Sequence, residues 1–284
     1  MTFRTVISLA NKVLPVRVLR RNFGKACVYS IPQPAELSDQ FDVVNKKSFV
    51  DQIGGSKTEV KMVLKLYKMD FSPPVRAVFM VIEALEIPDV EMIDINLFQA
   101  EHYKEEYIKI NPQHTIPVLI DDDVVICESH AISTYLVDKY GKDDSLYPKD
   151  LKKRAMVDQR LFFDSGILFP CARGAGEPLI FRGAKGFSPE IISKITAGYV
   201  FAERFLSRSP WLAGDQLTLA DICCVSTISS MDIVVPIEEA TYPNLYKWFK
   251  RCSEFDFYKK KNVPGLEIMR GYVKAKLADG AKEQ

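Results

Sequence analysis

Apolar positions from residue 61 onward fall into two alternating periods. Val63, Leu64, Leu66 and Tyr67 form a short β-prone run that Phe71-Ser72-Pro73-Pro74 breaks. Val75, Val78, Phe79 and Ile82 then recur at i, i+3, i+4 and i+7, which predicts an amphipathic helix. The prolines suit its first turn, where a missing N–H costs nothing, so Ser72 stands at the strand-to-helix loop. Residues 90–95 read as a second strand, and 104–110 as a short helix ending at Asn111-Pro112. Residues 116–120 and 124–127 read as two strands joined through Asp121-Asp122-Asp123, a hairpin in length and composition. Ser129 opens a helix with Ile132, Tyr135 and Leu136 on one face, and Gly141 ends it after Lys139. The order β-α-β-α-β-β-α predicts a small mixed sheet with helices on its faces.

After a polar linker at 141–150 the strand signals nearly vanish. Residues 151–170 are helical in pattern, with an interruption expected at Pro170, Gly174, Gly176 and Pro178. Ser188-Pro189-Glu190 is a helix start, continued by Ile192, Ile195, Tyr199, Ala202 and Leu206. Thr218-Leu219-Ala220-Asp221 has the capping-box spacing with Asp in place of Glu, and Leu219, Ile222 and Cys223 form its expected buried stripe. A helix after Pro243 turns Leu245, Trp248 and Phe249 inward, and another spans 266–277. The fold class is thus α/β plus all-α: a mixed-sheet domain over 61–142 and a helical domain over 151–278.

Length agrees with two domains, since 284 residues exceed a single domain of ~150. Apolar residues at 47% and charged residues at 26% are the mix of a globular chain with a sizeable core. A net charge of +1 argues against nucleic acid as the partner. No apolar run approaches the ~20 residues that span a bilayer. Charge is unevenly spread, however. Arg4, Lys12, Arg17, Arg20, Arg21 and Lys25 all precede the first acidic residue, Glu36. With its interleaved apolar residues, segment 1–35 has the make-up of a mitochondrial transit peptide or a disordered basic extension. Residues 36–60, with Gly54-Gly55-Ser56-Lys57, read as a flexible linker. The six cysteines include no CxxC pair, which removes zinc ribbons and dithiol redox centres and fits a reducing compartment. Cys223-Cys224 reads as core.

Candidate chemistry gathers in the first domain. His102, His114 and His130 lack the short spacing of zinc ligands, so no metal is expected. They are either surface histidines or donors to an anion. Ser72 lacks the G-x-S-x-G surroundings of a hydrolase nucleophile. It is either a plain N-cap or a hydroxyl that, with the helix terminus, stabilises an anion. Glu128-Ser129-His130 marks a strand-to-helix transition at which amides hold a carboxylate and an acid pairs with an ammonium, a pattern suited to a zwitterionic amino-acid headgroup. Thr115-Ile116-Pro117-Val118 carries a proline into a strand; composition leaves its isomer open.

Taken in order, Ser72-Pro73-Pro74-Val75-Arg76-Ala77, Asn111-Pro112-Gln113-His114-Thr115-Ile116-Pro117-Val118, Glu128-Ser129-His130-Ala131-Ile132 and Thr218-Leu219-Ala220-Asp221 resemble cytosolic-type glutathione S-transferases. The likeness is to the insect delta/epsilon classes, epsilon especially, and runs from about residue 62 to about 276. The resemblance implies a thioredoxin-like domain followed by a helical-bundle domain, usually as a homodimer. It implies a glutathione transferase acting on hydrophobic electrophiles, with glutathione as co-substrate and no further cofactor, and a cytoplasmic location unless 1–35 is a transit peptide. By the same resemblance the Ser72 hydroxyl bonds the glutathione sulfur, Pro117 is cis with Ile116 pairing the peptide backbone, and Glu128 and Ser129 hold the γ-glutamyl end. His102 and His114 lie near the glycyl end, and His130 and Arg173 near the thiol peptide. The electrophile pocket is expected at Met69, Phe71, Phe169, Ala172, Leu179 and Phe181. Alternatives in the same fold are a hydrophobic-ligand carrier and a glutathione-dependent peroxidase or isomerase. A redox protein of glutaredoxin or omega type is disfavoured, because no cysteine occupies the strand-to-helix loop.

Overall fold

A computed structural model describes residues 64–282. The expected extension 1–35 and linker 36–60 lie outside the described residues. The first domain comprises β1 (Lys65–Lys68), α1 (Pro73–Ala84), β2 (Glu91–Asp94), α2 (Glu105–Ile110), β3 (Val118–Asp121), β4 (Val124–Cys127) and α3 (Ser129–Tyr140). Two 3-10 turns, Leu97–Gln99 and Glu101–Tyr103, lead from β2 into α2. The sheet order is β2-β1-β3-β4, with β1 parallel to β2 and antiparallel to β3, and β3 antiparallel to β4.

The alternation of strand side chains divides two cores. Leu66 and Leu119 join Ala77, Val78 and Val81 of α1 and Ile132 and Leu136 of α3 on one face. On the other, Tyr67 and Val118 pack with Ile95 and with Tyr107 of α2. The third strand begins later than 116, because Ile116 and Pro117 form a cis peptide ahead of the ladder.

The second domain is helical throughout: α4 (Leu151–Phe163), α5 (Phe169–Phe181), α6 (Pro189–Leu206), α7 (Leu219–Asp232), α8 (Pro243–Ser253) and α9 (Val263–Lys282). The interruption expected at 170–178 does not occur. A π-helical turn, Asp164–Leu168, links α4 to α5 without a break. Pro170 falls just after that turn, where the i→i−4 ladder is already displaced and its missing N–H is accommodated. Gly174 faces α6, where a Cβ would stand 2.8 Å from Ile191 Cδ1, so the glycine permits close helix packing rather than a break. Ile192, expected inside, is exposed, whereas Ile195, Tyr199, Ala202 and Leu206 are buried. The stripe expected on α7 is also too narrow: every residue from Leu219 to Met231 is buried, as in a helix surrounded by others. α9 starts earlier and ends later than 266–277.

Asp221 secures the start of α7. Its carboxylate accepts from Leu212 N (2.9 Å), Thr218 N (2.9 Å), Thr218 Oγ1 (3.0 Å) and Trp248 Nε1 (2.8 Å). Burial pushes this carboxyl up, against four donors that favour its ionised form.

α7 also forms the seam with the first domain. Arg76 of α1 is fully buried there. Its guanidinium donates to Ser229 Oγ and Ser226 O, each at 3.3 Å, and to Ser230 Oγ and Asn262 Oδ1. These partners are all neutral; burial pushes the guanidinium down to about 9, which leaves it charged at neutral pH. Ser226 Oγ donates to Pro73 O at 2.6 Å, tying the first turn of α1 to α7. At Gly265 of α9 a Cβ would fall 2.1 Å from Asp70 O, so only glycine lets α9 lie against the β1–α1 loop.

Candidate active site

Register decides which loops meet. Tyr67 of β1 pairs with Val118 of β3, which pairs with Cys127 of β4. The end of β1, the beginning of β3 and the end of β4 therefore share one end of the sheet. From that end emerge Ser72 after β1, Ile116-Pro117 before β3, and Glu128-Ser129 after β4. β2 runs parallel to β1, so its exit into residues 97–103 lies there too.

Ser72 caps α1 by backbone only. Its N–H donates to Met69 O and its carbonyl accepts from Arg76 N, both at 3.0 Å, while its side chain makes no capping bond. Ser72 is thus the N-cap of α1 as expected, but its hydroxyl makes no capping bond and is uncommitted. The helix terminus offers less than expected: Pro73 and Pro74 have no N–H, so Val75 is the first residue of α1 with an amide to offer. A charge at this point relies on the hydroxyl more than on a set of amides.

The Ile116-Pro117 peptide is cis. Buried Asn111 shapes its approach. Asn111 Nδ2 donates to Thr115 O at 2.9 Å and Thr115 Oγ1 at 3.1 Å, and Tyr107 Oη donates to Thr115 O at 2.6 Å. His114, at φ 45°, turns its ring outward beside Tyr103 and His102, with ring centroids 4.7 and 6.4 Å away. Burial, and then the neighbouring His114, holds His102 below the ordinary histidine value, and its buried Nδ1 has no partner.

Glu128 has φ 69° and ψ 115°, a conformation that residues with a side chain adopt at a cost. It is exposed and heads α3, and Ser129 supplies the first residue of that helix. His130 turns elsewhere: its Nε2 stands 2.9 Å from Oδ2 of buried Asp164 on the π turn, so it bridges the two domains. Arg173 is likewise engaged, its Nε donating to Glu177 Oε2 at 2.8 Å on the same helix. Burial pushes the Glu177 carboxyl up, but Arg173 and Arg182 outweigh it and hold it below the usual range.

The expected electrophile residues divide into two groups. Phe71 and Phe181 stack with centroids 6.4 Å apart, whereas Ala172 and Leu179 are buried at 4% and 0% exposure and lie inside the packing. Met69 and Phe169 are half-buried. Two residues absent from the sequence-based set complete the aromatic group. Phe98 lies 4.9 Å from Phe181 and 6.0 Å from Phe71, and Tyr272 of α9 lies 5.4 Å from Phe71 and 5.2 Å from Phe98. An exposed aromatic in the 97–103 turns was the one available signal for Phe98; the seating of α9 at Gly265 is what brings Tyr272 in.

Among the described residues no group of three or more His, Cys, Asp or Glu side chains converges as a metal site, and no helix is long and apolar enough to cross a membrane. Comparison with known proteins agrees with this geometry. Residues 66–144 match the family model for the glutathione S-transferase N-terminal domain, and residues 194–256 match that for the C-terminal domain. Glutathione S-transferase 1 of Manduca sexta is 61% identical over 218 residues, 76% of this chain and 100% of that protein. An epsilon-class glutathione S-transferase from the housefly, Musca domestica, superposes with a TM-score of 0.72 at 45% identity, over 75% of this chain and 98% of its own. A Drosophila mojavensis glutathione transferase homologue with bound glutathione superposes with a TM-score of 0.73 at 45% identity, over 76% and 98%. A thioredoxin-like sheet, a helical domain and a serine at the sheet end converge with these likenesses on one conclusion: the chain belongs to the glutathione S-transferase family.

Proposed function

We propose that this enzyme conjugates glutathione to hydrophobic electrophiles, with the Ser72 hydroxyl stabilising the thiolate. The observation that carries this reading is the uncommitted Ser72 side chain, on the loop that shares a sheet end with cis-Pro117 and with Glu128-Ser129. Ile116 offers backbone groups that stand outside the strand ladder, suited to the peptide backbone of glutathione. The carboxylate of Glu128 and the opening turn of α3 suit the ammonium and carboxylate of the γ-glutamyl end. His102 and His114 suit the glycyl carboxylate.

A free thiol has a pKa of ~8.5, and lowering it by ~2 units takes ~2.7 kcal/mol of preference for the thiolate. A charge-assisted hydroxyl bond supplies about 1.5–3 kcal/mol, so one well-placed donor is of the right size. Phe71, Phe98, Phe181 and Tyr272, with Met69 and Phe169 at the margin, form the apolar wall for the electrophile. His130 and Arg173 act through their partners rather than as direct ligands, His130 by joining α3 to the π turn.

A homodimer is supported by apolar side chains exposed on β4, α4 and the adjoining π turn: Val124, Val125, Leu151, Phe162 and Ile167. Turnover of a chlorodinitrobenzene-type electrophile with glutathione, together with retention on a glutathione resin, tests the reading. Both are expected, with a large loss of turnover in Ser72→Ala; absence of both overturns it. Tight binding of lipophilic ligands with Ser72→Ala indistinguishable from the parent would instead favour a carrier.

A further inference from the structure

Arg76 lies one helical turn beyond Ser72, and its amide donates to the Ser72 carbonyl at 3.0 Å. Its side chain runs behind the same loop. Arg76 Cδ and Asp70 O stand 2.7 and 2.1 Å from one point, the position a Cβ would take on Gly265. The guanidinium Nη2 donates to Ser226 O, and Ser226 Oγ donates to Pro73 O at 2.6 Å. The arginine is therefore held behind the turn that carries Ser72.

This cation has hydrogen bonds but no counter-charge. Its partners on α7 and on the π-helical turn Tyr258–Asn262 are hydroxyls, a carbonyl and an amide, and its buried Nε has no partner. The charged groups on the surrounding elements are occupied elsewhere. Asp70 pairs with Lys68 at 2.8 Å, Glu83 with Lys260 and Lys261 at 3.0 and 3.4 Å, and Glu267 of α9 with Arg270 at 3.3 Å. At the ends of α7, Asp221 has its four donors and Asp232 accepts from Ile237 N at 2.8 Å. Burial raises the Tyr258 phenol, which keeps it neutral. A buried charge is ordinarily paired. One left unpaired projects its field through the protein to whatever anion binds nearby.

Resting on the transferase reading above, we propose that Arg76 is a remote electrostatic residue of the reaction: its uncompensated charge, held behind the Ser72 turn, favours the ionised glutathione sulfur. Four residues of helix rise about 6 Å, and with the side chains the charge and the sulfur are on the order of 10–15 Å apart. With an effective dielectric between ~20 and ~80, a unit charge at that range shifts a pKa by roughly 0.2–1.2 units. Arg76 thus supplies about half a unit of the ~2 required, and Ser72 remains the main donor.

Asn262→Asp tests this without removing the arginine. Asn262 Oδ1 already accepts from Arg76 Nη1, so an aspartate of the same shape places a counter-charge on the guanidinium. Glutathione bound to the full chain is titrated by thiolate absorbance in both proteins, with thermal midpoints and S-methylglutathione affinity measured alongside. The variant is expected to ionise about half a unit higher than the parent, to melt at a higher temperature, and to keep its affinity for S-methylglutathione. An unchanged thiol pKa overturns the proposal. So does a lower melting temperature, because the guanidinium then lacked no counter-charge. A raised pKa with a matching loss of S-methylglutathione affinity also overturns it, since the loop rather than the field has changed. In each of these cases a parent that ionises near ~6.5 leaves the transferase reading intact. A parent whose thiol titrates at the free value of ~8.5, or that binds no glutathione, removes both.

Discussion

Ser72 has a free hydroxyl because α1 is capped by backbone geometry and two prolines, not by its side chain. The same prolines remove the amides that a helix terminus would otherwise bring to an anion, which concentrates the proposed thiolate bond on one atom. His102 is the residue whose charge state the fold most visibly alters near this site. Burial, then His114, lowers its pKa, so it is neutral at pH 7 and gains a proton only below the ordinary histidine value of ~6.5. A proton gained there adds positive charge beside the proposed glycyl carboxylate. S-methylglutathione, which has no thiol to titrate, should therefore bind more tightly as pH falls below the ordinary histidine range, and His102→Gln should flatten that rise in a calorimetric titration. An identical pH profile in the variant would separate His102 from the ligand.

Two elements show how packing, rather than propensity, positions the loops. α7 begins at a carboxylate with four donors. Asp221→Asn keeps the shape but turns an NH₂ toward groups that themselves donate, so urea unfolding should show a loss of about 2–4 kcal/mol. A loss under ~0.5 kcal/mol would mean the box is dispensable. α9 contains a paired comparison. A Cβ at Gly265 meets Asp70 O at 2.1 Å, whereas at Gly271 it meets nothing within 4 Å. Gly265→Ala should displace α9 and lower both thermal stability and turnover, while Gly271→Ala should stabilise by up to about 1 kcal/mol through helix propensity alone. Equal effects would show that α9 does not depend on its approach to the Ser72 loop. The sequence made these elements legible by periodicity and caps, Ser188-Pro189-Glu190 and Thr218-Asp221 above all. It misread 170–178 because proline and glycine signal a break, and nothing local announces a π turn that absorbs Pro170 or a neighbour such as Ile191 that requires Gly174. Ile192 was misplaced for a related reason: a 3.6-residue period fixes a stripe but not its edge.

At the scale of the molecule, two domains meet along α1, α7 and the start of α9, around a buried Arg76 held by neutral partners and a Ser226–Pro73 bond. Little of this seam was legible beforehand: Arg76 falls within a motif beside Ser72, but its partners Ser226, Ser229, Ser230 and Asn262 lie 150 residues or more away and belong to no pattern. That Ser72, Ile116-Pro117 and Glu128-Ser129 lie on loops between short strands and helices was legible from local motifs, and the strand register places those loops at one sheet end. The aromatic group was only half legible, as Phe98 and Tyr272 join Phe71 and Phe181 through tertiary packing. The proposed homodimer is the other whole-molecule feature. Phe162 is 75% exposed on α4, and Phe162→Glu should shift sedimentation toward the monomer; an unchanged profile would place the interface elsewhere. The central claim, that one hydroxyl holds the ionised sulfur, is tested most directly by titrating the ultraviolet absorbance of the bound thiolate in the parent enzyme and in Ser72→Ala. The parent should ionise near ~6.5 and the variant near the free-thiol value of ~8.5, with reactivity following the same curves. Matching titrations in the two proteins would contradict the account.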